Sequence, residues 1–232
     1  MAKLKICGLM NQADVRFCAA SGAHMLGFVT NYPVPVPWEL TKDQAKELIA
    51  CVPRAIKSCI VTGGKVEDIF VLAIELQPDY IQLHYKESFA ETKYLAEALL
   101  SYGIKTIKAV PVKEDGSCEM PEFSSVAEAI TALSDTKVEA VLIDSRCAAS
   151  PASSSRQLAS DFCRDIVNIS IKPLILSGGI TGGNLNEILR DIAPFGVDIL
   201  TGTEYAPGQK SKEKIERICR IISDNKPNPH IF

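Results

Sequence analysis

The chain has 232 residues, 47% of them hydrophobic, and a formal net charge of -3 at pH 7. That length suffices for one large core, and its charges are interspersed without a basic block, so nucleic acid is not an expected partner. No stretch approaches ~18 uninterrupted apolar residues and the opening "MAKLKICGLMNQADVRFCAASG" has no continuous apolar segment, so a cytoplasmic protein without membrane contact is expected.

The first strand is expected at "LKIC", and the helix after it at "NQADVRFCAASG", with Asn11 as N-cap and Gly22 as stop. "MLGFV" leads through a proline-rich loop to "TKDQAKELIACV", where Thr41 and Gln44 have capping-box spacing. "IKSCIV" precedes "KVEDIFVLAIEL". "DYIQLH" precedes "SFAETKYLAEALLSYG", with Ser88 and Glu91 as a second capping box. "IKTIKAV" precedes a helix around "SVAEAITAL", and "VEAVLID" precedes one near "QLASDFCRDIV". "PLILSGG" precedes "NLNEILRDI", and "VDILTG" precedes "SKEKIERICRIIS", which brings the count of βα units to eight.

Near-continuous apolar strands separated by helices imply parallel strands with covered faces, and right-handed crossovers wind such units in one direction. Eight of them fit a closed (β/α)8 barrel, a single domain over residues 1–232 with 224–232 as a loose tail. An open doubly wound sheet is the alternative, but its G-x-G-x-x-G fingerprint is absent after the first strand. The eight cysteines, at positions 7, 18, 51, 59, 118, 147, 163 and 219, show no CxxC spacing. Reduced thiols are therefore expected, with no zinc site.

In such a barrel the site lies at the C-terminal ends of the strands, which singles out Cys7, Asn31, His84, Asp144, Ser177 to Gly179, Thr201 and Gly202. The glycines of "LSGGITGG" and "LTGTEYAPG" allow backbone N–H groups to approach an anion, so Gly178, Gly179, Thr201 and Gly202 are expected to bind a phosphate; their plainer reading is tight turns. Asp144 ends an otherwise buried strand, where a carboxylate needs a pocket or a partner. Cys7 is either a small buried hydrophobe or, opposite that acid, an acid/base partner. His84 either lines the mouth or is a satisfied imidazole. "SPASSSR" reads as a loop.

These landmarks resemble the phosphoribosylanthranilate isomerase family: "KICGLMNQADV", "LGFV", "DYIQLH", "IKAV", "LID", "LILSGGITGGNL" and "PFGVDILTGTEYAPGQKSKEKI", in that order and over nearly the whole chain. The resemblance implies an Amadori rearrangement of N-(5-phosphoribosyl)anthranilate in tryptophan biosynthesis, without metal or organic cofactor, with Cys7 matching the general base and Asp144 the general acid. Two ligand-facing loops depart from the family. Where it has a loop like YPKSPRxV, whose arginine contacts the anthranilate carboxylate, this chain has "NYPVPVPWEL". Its "QLHG" is "QLHY", and its glycine-rich loop after strand six is "SPASSSRQLASDF".

Trp38 and Tyr85, at altered motif positions, are expected to shape the aglycone end. Arg146 is the nearest candidate in sequence for a replacement cation, its plainer reading a solvated charge. An enzyme for a related phosphosugar with another aglycone, and a non-catalytic phosphosugar-binding barrel, remain as alternatives. Either a monomer or a homodimer fits the pattern.

Overall fold

In the computed structural model, which describes residues 2–113, 115–145 and 157–225, eight parallel strands form a ring. They are β1 (Lys3–Ile6), β2 (Met25–Thr30), β3 (Lys57–Thr62), β4 (Tyr80–Leu83), β5 (Lys105–Pro111), β6 (Ala140–Asp144), β7 (Leu174–Leu176) and β8 (Gly196–Ile199). Each pairs with the next in the chain. β1 pairs with β8 on one side, Lys5 opposite Asp198, and with β2 on the other, Lys5 opposite Met25, so the sheet has no open edge in the ring. Closure excludes the doubly wound alternative.

The helices are α1 (Gln12–Ser21), α2 (Lys42–Ala50), α3 (Val66–Leu76), α4 (Phe89–Leu100), α5 (Val126–Ser134), α6 (Ser160–Ile169), α7 (Leu185–Asp191) and α8 (Lys212–Asp224). Their limits follow local chemistry. Asn11 accepts from the Asp14 N–H, Gly22 ends α1 in the left-handed region at φ 107°, and both capping boxes form, Thr41 with Gln44 and Ser88 with Glu91. Among the described residues no helix is long and apolar enough to cross a membrane.

Side chains two apart on a strand share a face, and this parity divides the core. Leu4 and Ile6 point outward into the layer shared with the helices, where Val15, Leu48, Leu95 and Ile218 also lie. Cys59, Ile107, Ala109, Leu142 and Ile175 fill the ring interior. Lys5 and Cys7 have the opposite parity to Leu4 and Ile6, which puts a lysine inside the barrel.

The sequence pattern does not show three small elements at the mouth. A two-residue strand, Glu39–Leu40, adds to β2 opposite Val29 and Thr30. A 3-10 turn, Thr201–Thr203, follows β8 and runs into an antiparallel pair, Glu204–Ala206 with Gln209–Lys210.

Candidate active site at the barrel mouth

Cys7 lies just past β1 and is held by its backbone: its N–H donates to the Ile199 carbonyl (3.1 Å), and its own carbonyl accepts from Lys210 Nζ at 2.6 Å. Lys210 is itself anchored to Glu204 at 3.0 Å, and Glu204 accepts from the Trp38 indole N–H (2.9 Å) and the Gly208 N–H (3.2 Å). One chain of polar contacts thus ties the loop after β2 and the loop after β8 to the cysteine. "GTEYAPGQK" carries that bracket, and composition alone assigns Glu204 and Lys210 no such role.

Around the Cys7 sulfur the room is made by Gly27 on β2. A Cβ there would stand 2.7 Å from Cys7 Sγ and 3.0 Å from Lys5 Nζ, so any side chain would displace one or both. Lys5 is 3% exposed and pairs with Asp198 on the neighbouring strand at 2.8 Å. Burial pushes the Cys7 thiol up from its ordinary range and Asp198 adds to this, while Lys5 and Lys210 pull it back. Among the described residues the buried Asp198 Oδ1 atom has no hydrogen-bond partner.

Asp144 ends β6 and is buried. Its Oδ2 accepts from Ser177 Oγ (3.2 Å) and stands 3.5 Å from His84 Nε2. Gln82 Nε2 lies 3.3 Å from His84 Nδ1, on the far side of the ring from Asp144. Cys7, Asp144, His84, Trp38, Gln82, Ser177 and Asp198 line one pocket, whose remaining wall is Val29, Tyr32, Val36, Val61 and Leu200.

Beside it the loops after β7 and β8 form a second cleft, lined by Gly179, Thr181, Gly182, Gly183, Thr201 and Gly202 with Lys214 and Arg217 of α8. Gly178 and Gly179 have φ of 96° and 64°, a conformation that side chains disfavour, and it turns the loop sharply away from β7. Gly202 lets the two loops touch: a Cβ there would stand 2.0 Å from the Ile180 carbonyl oxygen. Gly179, Thr201 and Gly202 therefore share one concave surface, while Gly178 is buried behind it.

Two expected residues are placed differently. Asn31 is exposed in a left-handed turn at φ 51°, its carbonyl accepting from Thr62 Oγ1, and does not line the mouth pocket. Tyr85 stands one layer back: its ring meets Tyr32 edge-on at 5.9 Å, its N–H donates to Glu87, and it lines a neighbouring depression with Lys86 and Met120. Arg146 lies outside the described residues, as do most of the serine-rich loop and the segment 226–232.

The family model described as N-(5'phosphoribosyl)anthranilate (PRA) isomerase matches residues 4–220. A Methanosarcina acetivorans protein named N-(5'-phosphoribosyl)anthranilate isomerase is 30% identical over 222 residues, covering 95% of this chain and 92% of its own length. A Cereibacter sphaeroides protein of the same name is 31% identical over 217 residues, covering 92% and 94%. The crystal structure of phosphoribosyl anthranilate isomerase from Thermotoga maritima aligns with a TM-score of 0.79 at 25% identity, over 97% of this chain and 100% of that one.

Proposed function

This chain belongs to the N-(5'-phosphoribosyl)anthranilate isomerase family, and we propose that it converts N-(5-phosphoribosyl)anthranilate to 1-(2-carboxyphenylamino)-1-deoxyribulose 5-phosphate, a step of tryptophan biosynthesis. The observation that carries the reading is the meeting of Cys7 and Asp144 in one pocket, next to a glycine-built cleft. Binding a phosphosugar needs neither a thiol nor an acid at those places, which argues against a non-catalytic barrel.

In this reading Asp144 protonates the furanose ring oxygen as the C1–O bond breaks and the nitrogen lone pair forms the iminium. Cys7, as thiolate, then removes the C2 proton to give the enolamine, which tautomerises to the ketose. The phosphate sits against the backbone of Gly179, Thr201 and Gly202. The aglycone faces Val29, Val36, Val61 and Trp38, flat or apolar surfaces suited to an aromatic ring. We place the enzyme in the cytoplasm, as a monomer or homodimer acting on this phosphorylated sugar.

Single-turnover consumption of the anthranilate substrate tests the roles. Cys7→Ser and Asp144→Asn should each keep the fold and substrate binding while losing most of the chemical rate, since a hydroxyl ionises far less readily than a thiol and an amide delivers no proton. Wild-type protein that binds the phosphate ester but never turns over the anthranilate compound would sink the proposal in favour of another aglycone.

A further inference from the structure

We propose that Lys5 is the positioning residue that makes Cys7 usable as a base: its ammonium, held inside the barrel by Asp198, stabilises the thiolate. This rests on the reading of Cys7 as the base and adds the group that acts on it. Lys5 and Cys7 are two residues apart and share the inward face of β1. Their reactive atoms crowd the same point above Gly27, where neither leaves room for a Cβ.

A lysine in this position is costly to keep charged, because burial alone favours the neutral amine. Its pKa nevertheless stands above the ordinary lysine value: burial lowers it, and the Asp198 carboxylate together with Cys7 and Cys59 outweighs that. The ammonium is thus permanent at neutral pH, and Asp198 is its orienting partner. A barrel needing only a packed interior has a cheaper solution in apolar residues, as Ile107, Leu142 and Ile175 show elsewhere in the ring.

The other ionisable groups around Cys7 are Asp198 on β8, Lys210 with its partner Glu204 beyond β8, Cys59 on β3, and Asp144 and His84 across the pocket. Lys210 reaches the Cys7 carbonyl and is tied to Glu204; it also pulls the thiol down, with less effect than Lys5. Burial pushes Cys59 up to about 12, which keeps it a neutral thiol. Lys5 is the cation that acts most strongly on the sulfur, against the opposing Asp198 carboxylate.

In the step itself the thiolate takes the C2 proton. The C2–H electron pair becomes the C1=C2 bond, and the C1=N π pair returns to nitrogen. Cys7 is left as a neutral thiol and regains its working form by losing that proton to water, an ionisation that the neighbouring ammonium favours.

The test is the pH dependence of Cys7 alkylation by iodoacetamide, followed on its own peptide by mass spectrometry, with kcat and KM measured alongside. Lys5→Met should move the Cys7 titration up by at least about one unit, so that labelling at pH 7 falls about tenfold. It should lower kcat with little change in KM. Asp198→Asn should move the titration down, in the opposite direction.

The double variant Lys5→Met/Asp198→Asn leaves no unpaired buried charge and covers the case in which Lys5→Met does not fold. Its titration should lie above wild type but below Lys5→Met. If the two single variants shift Cys7 in the same direction, or the double variant titrates as wild type, Lys5 is only a structural ion-pair member and the inference is overturned. An active Cys7→Ser enzyme would instead remove the base reading while leaving the titration result standing, so the two failures are distinct.

Discussion

Gly202→Ala is a one-methyl change whose consequence can be worked out from the structure. The added Cβ would meet the Ile180 carbonyl oxygen at 2.0 Å, the Ile180 carbonyl carbon at 3.1 Å and Ile199 Cγ2 at 2.9 Å. A carbon rests against a carbonyl oxygen at roughly 3.3 Å or more, so the loops after β7 and β8 must separate by over ~1 Å. Two of the three opposing atoms are backbone, which cannot rotate away. Strain of this kind costs about 1–3 kcal/mol, and a 1 Å misplacement of binding groups can cost about 10²-fold in rate. Thermal melts, steady-state kinetics and inhibition by inorganic phosphate measure both effects. KM and the phosphate inhibition constant should each rise at least about tenfold, about 1.4 kcal/mol of lost binding. Gly183→Ala is the control on the same cleft, because its Cβ would meet only Thr181 Oγ1, at 3.4 Å. Wild-type KM and phosphate inhibition in Gly202→Ala would refute the assignment of the phosphate to this cleft.

Glu87→Ala should destabilise the fold by about 3–5 kcal/mol in urea titrations, since it strands a buried lysine. Glu87 pairs with Lys108 at 2.9 Å and also accepts from the Gly64 and Tyr85 N–H groups; Glu87→Leu/Lys108→Met should recover much of the loss. Trp38→Phe keeps an aromatic wall but removes the donor to Glu204, for about 1.5–3 kcal/mol of stability read from thermal melts. Trp38→Ala should change the preference among aglycones whereas Tyr85→Ala should not, because Tyr85 stands behind Tyr32; equal effects in competition assays contradict that placement. Burial acts to raise the Asp79 pKa, but Lys57 at 2.7 Å and Ser58 hold it below its ordinary value. Its contribution to stability is therefore present above the unfolded pKa and lost as pH falls through the folded one, so Asp79→Asn should flatten the acid limb of urea midpoints below about pH 4.

The ring was legible because each βα unit repeats a local signal: a buried apolar run, a cap, an amphipathic helix. Thr41 with Gln44 and Ser88 with Glu91 mark helix starts by spacing alone. Glu39–Leu40 and the pair after β8 are two or three residues long, too short for any period, and their partners are set by the mouth loops. At the site, the rule that function sits at strand ends picked out Cys7 and Asp144, which line one pocket, and also Asn31, which does not, since a residue one step past a strand can turn outward. The Lys5–Asp198 pair was not legible, because it joins residues 193 apart in sequence and only ring closure brings β8 against β1.

The chemistry sets a condition that explains why charge is placed so unevenly around this pocket. Base and acid must hold opposite protonation states at one pH: the thiol without its proton, the carboxyl with its own. A carboxyl and a thiol at their ordinary values, near 4 and 8.5, do the reverse, and the doubly correct form would be roughly one molecule in 10⁴–10⁵. Each tenfold recovered is worth about 1.4 kcal/mol and has to come from the surroundings. A permanent ammonium beside Cys7 acts in that direction on the base. On the acid side, His84 Nε2 faces Asp144 at 3.5 Å and Gln82 Nε2 lies 3.3 Å from His84 Nδ1. Gln82→Glu puts a carboxylate at that contact, which accepts from Nδ1–H and favours an imidazolium beside Asp144. With a charged ring beside the acid, kcat at neutral pH should then fall about tenfold or more. Gln82→Leu, which cannot charge the ring, should fall less. A pH–rate profile for Gln82→Glu that superimposes on wild type would show that His84 does not govern the acid.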